Sequence, residues 1–208
     1  MSLVALKGRV VTDYEVWEEG CVLLGDGAVR DVSRDWRAAE EADEVHELGE
    51  SLILPGFVDL QVNGAFGVDL AGEPERLGEL SGRLLSTGTT AYLPTVITSP
   101  PEAYERALPH LAGGIAAEPG GARPLGVHLE GPFISPGRRG AHPAEHVRPP
   151  DPGLLGRLLE LAPVRMITVA PELPGADGLM AAARDRGAVV SLGHSDAPFE
   201  VAYVALDR

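Results

Sequence analysis

Five stretches of the chain place carboxylates, imidazoles, amides or hydroxyls at or just after the end of an apolar run: Asp59, Gln61 and Asn63; Thr95 and Thr98; Glu130; Glu172; and His194, Ser195 and Asp196. If those runs are strands of a parallel α/β fold, their C-terminal ends reach one rim, and residues far apart in sequence meet there. Glu130 and His194 are the pair with the most chemistry to offer. A hard carboxylate and a neutral imidazole form a partial ligand set for Zn²⁺ or a similar divalent ion, completed by another side chain and water. An ion so held brings the pKa of its water toward ~7, which makes a nucleophile available at neutral pH. By residue type alone, a Glu at a strand end also fits a salt-bridged group, and a lone His a satisfied polar one.

The elements needed to bring these residues together are legible as hydrophobic patterns. Residues 1–51 read as a small antiparallel β unit, with strands over 3–11, 21–24 and 28–32 and a Gly25-Asp26-Gly27 turn, since Asp-Gly between apolar runs marks a hairpin. Trp17, Trp36 and His46 lie in or beside this unit without chemical company. From Leu52 strands alternate with helical segments, the mark of a parallel sheet. Strands are expected over 52–60, 89–98, 125–129, 164–169 and 188–192. Helices are expected from Pro74 to a stop at Gly88, with Leu77, Leu80, Leu84 and Leu85 on one face, and after Pro100-Pro101 through Leu111. Two more follow, from the Asp151 cap with Pro152 at the first helical position and over 178–186, and a last one begins at Pro198. Residues 131–150 form a connection far longer than a βα loop needs, which points to function.

Composition narrows the partners. A formal charge of −14 over 208 residues argues against nucleic acid and anionic membranes, because either needs clustered Lys and Arg. The single Cys21 excludes an intrachain disulfide and any multi-cysteine metal cluster. No apolar run approaches the ~20 residues that span a bilayer, and no signal-like start is evident, so a cytoplasmic location is expected.

Several motifs carry a family likeness. Residues 54–64 (LPGFVDLQVNG), the Gly88-Thr89-Thr90 to Pro94-Thr95 segment, His128-Leu129-Glu130-Gly131-Pro132-Phe133, Gly140-Ala141-His142-Pro143, Ala170-Pro171-Glu172 and Gly193-His194-Ser195 resemble, in order and spacing, the N-acetylglucosamine-6-phosphate deacetylases of the amidohydrolase superfamily. The resemblance implies a (β/α)8 TIM barrel, of which residues 52–208 supply about five of eight strands, and a small β-sandwich to which residues 1–51 contribute. It implies that Glu130 and His194 are metal ligands. Many superfamily members carry His-x-His after the first strand; Gln61 and Asn63 stand there instead, which implies one divalent ion per site, with zinc as the expected metal. The Arg138-Arg139-Gly140-Ala141-His142 loop matches the family's substrate loop. Arg138 and Arg139 thereby become candidate phosphate contacts, and Ala141 and His142 candidate substrate contacts, a local answer to the global negative charge. A solvated basic loop is the alternative. His128, two residues before Glu130 on the same strand face, is either a supporting group behind the metal or a structural one.

The implied reaction is hydrolysis of the N-acetyl amide of N-acetylglucosamine 6-phosphate to acetate and glucosamine 6-phosphate in amino-sugar catabolism, and the implied assembly is a homodimer. The family's third metal-binding His and its proton-transferring Asp fall beyond Arg208. No catalytic acid or base is therefore assigned, and little activity is expected of this 208-residue chain alone. Two other readings remain: another amidohydrolase, such as a cyclic amidase or a deaminase, and a non-catalytic, truncated metal-binding remnant.

Overall fold

The computed structural model describes residues 2–207, which divide into two compact units, one running up to Pro55 and the other from Gly56 onward.

The first unit is a four-stranded sheet of β1 (Leu3–Val11), β2 (Val16–Gly25), β3 (Ala28–Ser33) and β4 (Glu44–Ile53), in the order β3-β2-β1-β4. β2 runs antiparallel to both β1 and β3, and β4 runs parallel to β1. The hairpin turn sits where Asp26 and Gly27 both take positive φ, 52° and 72°, as a two-residue turn matching strand twist requires. Ala5, Cys21, Leu23 and Ala39 form one small core, and Val10, Val22 and Ile53 another. Trp17 donates its indole N–H to Glu15 under the Arg34 guanidinium, Trp36 lies beneath Lys7, and His46 pairs with Glu44. Trp36 and His46 are exposed, whereas Trp17 is partly buried against the Val10, Val22 and Ile53 core. No strand is expected over 44–51, because its residues are exposed and mostly polar and are recruited by backbone pairing to β1.

The second unit holds five parallel strands: β5 (Phe57–Val62), β6 (Thr89–Ile97), β7 (Val127–Glu130), β8 (Val164–Val169) and β9 (Val189–Leu192). They pair in sequence order, β5-β6-β7-β8-β9, with helices α1 (Leu77–Leu84), α2 (Pro101–Ala116), α3 (Pro152–Leu161) and α4 (Ala176–Asp185) in the successive connections and α5 (Phe199–Leu206) after β9. This is repeated β/α winding. The apolar run read as one strand over 52–60 is two: Pro55, without an N–H, and Gly56, packed on the Thr90 side chain, separate β4 from β5. The first helix also ends earlier than its leucines suggest. Leu77, Leu80 and Leu84 are buried, whereas Leu85 is about half exposed in a final tight turn before Gly88 reverses the chain at φ 81°. Asp151 caps α3 by accepting from the N–H groups of Gly153 and Leu154 at 2.9 and 3.0 Å.

Between sheet and helices lies a core that includes Tyr92, Tyr104, Leu108, Leu111, Leu129, Leu155, Ile167 and Leu179. Strand alternation sends Val127 and Leu129 into that core and turns His128 and Glu130 to the opposite, interior face of the sheet. Among the described residues, no helix is long and apolar enough to cross a membrane.

Candidate metal centre

Glu130 ends β7, the middle strand, and is 7% exposed. His194 follows β9, two strands away, and reaches across so that its Nε2 lies 2.9 Å from Glu130 Oε1. His142, buried in the long loop after β7, places its Nε2 3.7 Å from the same oxygen. The two imidazole rings lie against each other, tilted by 57° with centroids 4.4 Å apart. Each of the three residues therefore offers a donor atom within 4.8 Å of the others, a grouping that could hold a metal ion.

Hydrogen bonds decide which His194 nitrogen is free. Its Nδ1 lies 3.0 Å from the carbonyl oxygen of Arg138, and a carbonyl can only accept, so Nδ1 carries the proton. In the neutral ring Nε2 then aims a lone pair at a carboxylate oxygen. Two acceptors at 2.9 Å need a cation between them, either a proton on the imidazole or a metal ion. One carboxylate and two imidazoles suit a divalent ion of the zinc type. Burial pushes the Glu130 carboxyl up, but its contacts with His194, His142 and Gln61 outweigh it and hold the group below the usual carboxylate range. Burial holds the His142 imidazole below its ordinary value against the pull of Glu130, which favours the neutral form a ligand needs.

His142 is placed by Thr98, at the end of β6. Its Nδ1 is 2.8 Å from the Thr98 hydroxyl and 3.4 Å from the Thr98 N–H. Gly131 makes room for this contact: a Cβ there would sit 2.3 Å from Thr98 Oγ1. The loop itself is pinned to the last strand, because the Ser135 N–H donates to the His194 carbonyl at 2.9 Å. Nothing in the spacing of the Gly140-Ala141-His142 motif marks His142 as a neighbour of Glu130; the folded loop does that.

The remaining residues singled out by sequence fall in different places. Gln61 lies beside Glu130 and helps to lower its pKa, whereas the buried Nδ2 of Asn63 is unpaired by protein groups. His128 is buried and does not face the donor group. Its Nδ1–H donates to the Leu60 carbonyl at 3.0 Å and its Nε2 accepts from the Thr168 hydroxyl at 2.8 Å, tying β5 to β8 across β6 and β7. Burial holds the pKa of this ring below its ordinary value, against the Leu60 carbonyl and Glu130, which favours the neutral form. Ala141 is exposed beside His142. Arg138 grips Asp196 Oδ1 through Nε and Nη2 at 2.9 and 2.7 Å, and Arg139 donates to the carbonyls of Gly140 and His142. Both guanidiniums therefore already have internal partners.

The geometry agrees with what the chain is similar to. No family model matches it. It is 43% identical over 209 residues to the human N-acetylglucosamine-6-phosphate deacetylase, covering 95% of this chain and 49% of that protein. It is 35% identical over 202 residues to the Bacillus subtilis protein of the same name, covering 94% and 51%. A solved structure of a Mycobacterium smegmatis N-acetyl-D-glucosamine-6-phosphate deacetylase variant, in complex with N-acetyl-D-glucosamine-6-phosphate, superimposes with a TM-score of 0.87 at 31% identity, over 100% of this chain and 54% of that one. The chain spans about half the length of the curated relatives it matches. Its five β/α units are part of a TIM barrel of the amidohydrolase kind, beside a separate small sheet. In sequence and in fold the chain is a relative of the N-acetylglucosamine-6-phosphate deacetylases, over about half of their length.

Proposed function

We propose that the chain carries the metal-holding part of a deacetylase acting on N-acetylglucosamine 6-phosphate, with one zinc ion held by Glu130, His194 and His142. The observation that carries the proposal is the convergence of these three donors on one point at the C-terminal rim, with the Nε2 lone pair of His194 aimed at the Glu130 carboxylate. When bound, a divalent ion supplies Lewis acidity and a lowered pKa for water. The chain's own residues prepare the place for it. Arg138 fixes the His194 tautomer through its carbonyl, Thr98 orients His142, and Gln61 steadies the carboxylate. His142 and Ala141 also border the opening, where the sugar is expected to lie. A phosphate contact by Arg138 or Arg139 requires exchange of a present partner for the ligand. The wider reading places a homodimeric enzyme in the cytoplasm, with residues 1–51 as part of a sandwich domain and 52–208 as part of the barrel.

Zinc titration by calorimetry tests the centre. The chain is expected to bind one equivalent, and Glu130→Ala and His194→Ala to lose it. Unchanged stoichiometry and affinity in both variants would falsify the metal site. Titration of the zinc-loaded chain with N-acetylglucosamine 6-phosphate then tests the substrate: saturable binding weakened by His142→Ala supports it, and identical heats with and without zinc count against it.

A further inference from the structure

We propose that Glu172 is a positioning residue for His194, acting through a closed circuit of hydrogen bonds that sets both the backbone and the ring tautomer of that histidine; this rests on the metal site proposed above. His194 has a left-handed backbone, φ 51°, which is strained for a non-glycine residue and persists only where its surroundings over-determine it. The bonds that over-determine it converge on Glu172, in the Ala170-Pro171-Glu172 segment after β8. One carboxylate oxygen accepts from the Ser195 hydroxyl and the other from the Asp196 N–H, each at 2.7 Å. The two residues directly after His194 are thus held by a single group. Ser195 Oγ in turn accepts from the Ala197 N–H at 2.9 Å, which folds the chain sharply at this point.

The circuit continues outward and returns. The Asp196 carboxylate orients the Arg138 guanidinium with two bonds, and the Arg138 carbonyl accepts the His194 Nδ1–H. The Ser135 N–H, three residues before Arg138, donates to the His194 carbonyl. His194 is therefore held from both sides, by the turn that follows it and by the loop whose carbonyl selects its tautomer. Besides its own backbone N–H, the Glu172 carboxylate is held by these two donors, both from the turn that follows His194. Groups that orient a ligating histidine typically change metal affinity 10–100-fold when removed.

Zinc affinity of the 208-residue chain, measured by competition with a chelator, is expected to fall 10–100-fold in Glu172→Ala and less in Glu172→Gln, which keeps one acceptor oxygen. Arg138→Ala is expected to weaken zinc as well, an effect that a phosphate contact alone would not produce. A passive loop staple is separated by ¹⁵N spectra of His194 in the zinc-free chain. These should show the Nδ1–H form in the parent and a mixture of tautomers in Glu172→Ala, at unchanged far-UV dichroism. If Glu172→Ala does not fold, Ser195→Ala removes one of the same bonds and is read in the same way. Zinc affinity within twofold of the parent in Ser195→Ala and in whichever Glu172 variant folds, while Glu130→Ala abolishes binding, overturns the positioning role alone. Parent-like binding in Glu130→Ala and His194→Ala overturns the metal reading and this proposal together.

Discussion

Replacing His128 with leucine isolates what the ring does, because the two side chains are similar in volume and differ in hydrogen bonding. In the parent, the ring joins the Leu60 carbonyl to the Thr168 hydroxyl inside the sheet, and His128 and Thr168 are both at most 5% exposed. Leucine fills the space but leaves a buried hydroxyl and a partly buried carbonyl without their partner, at about 1–3 kcal/mol for a fully buried group. With a small offset from added apolar burial, the expected loss is about 2–4 kcal/mol. At roughly 2–4 °C per kcal/mol for a chain of this size, the melting temperature falls by about 5–15 °C. Both tryptophans lie in the first unit, so fluorescence is blind to the change. Far-UV dichroism in urea, with amide exchange along β7, reports the second unit. Combining His128→Leu with Thr168→Val removes the hydroxyl that had been stranded, and at least about 1 kcal/mol of the summed losses should return. Zinc affinity should change little, since neither ring nitrogen is directed at the donor group. Stability within about 0.5 kcal/mol of the parent, or strict additivity of the pair, would refute the assignment of His128 as a tie between strands.

Two further outcomes follow from buried groups. Burial pushes the Tyr104 phenol well above its ordinary value, with the Ser99 N–H only partly opposing it. The unfolded chain therefore ionises near pH 10 while the folded chain keeps its proton, so the unfolded state binds fewer protons and stability falls as pH rises above 10. Alkaline melts should show this decline, and Tyr104→Phe should lessen it, with Tyr92, also raised by burial, responsible for part of what remains; an undiminished slope in the variant would discard the assignment. Gly131→Ala places a Cβ 2.3 Å from Thr98 Oγ1 at a φ of 88°, so it should destabilise the second unit by about 1–3 kcal/mol and weaken zinc by displacing His142. Parent-like melting and zinc affinity would remove the role given to Thr98.

Where local chemistry dominates, the sequence is a good guide to the fold. The Asp26-Gly27 hairpin, the Asp151 cap and the β-branched run of β6 each carry their own instruction. It fails where backbone pairing or distant contacts take over. β4 has an exposed, charged face and exists because β1 offers it an edge, and the 52–60 run conceals a break because apolar character continues across Pro55 and Gly56. The site divides in the same way. Glu130 and His194 are suggested by their strand-end positions, whereas the approach of His142 depends on Thr98, 44 residues earlier in the chain, and the Glu172 circuit depends on a bent segment whose bonds no spacing rule announces.

Each barrel strand pairs with the strand that precedes it in sequence. That arrangement has a consequence in time. Each pairing joins strands one β/α unit apart in the chain, so pairing can proceed stepwise as a chain emerges from synthesis at ~5–20 residues per second. Glu130 is in place once β8 has docked on β7, but His194, which also pins the loop carrying His142, arrives only with the turn after β9. On the proposed metal site, uptake of an ion therefore waits for completion of the fifth unit and is separate from the nucleus of the sheet.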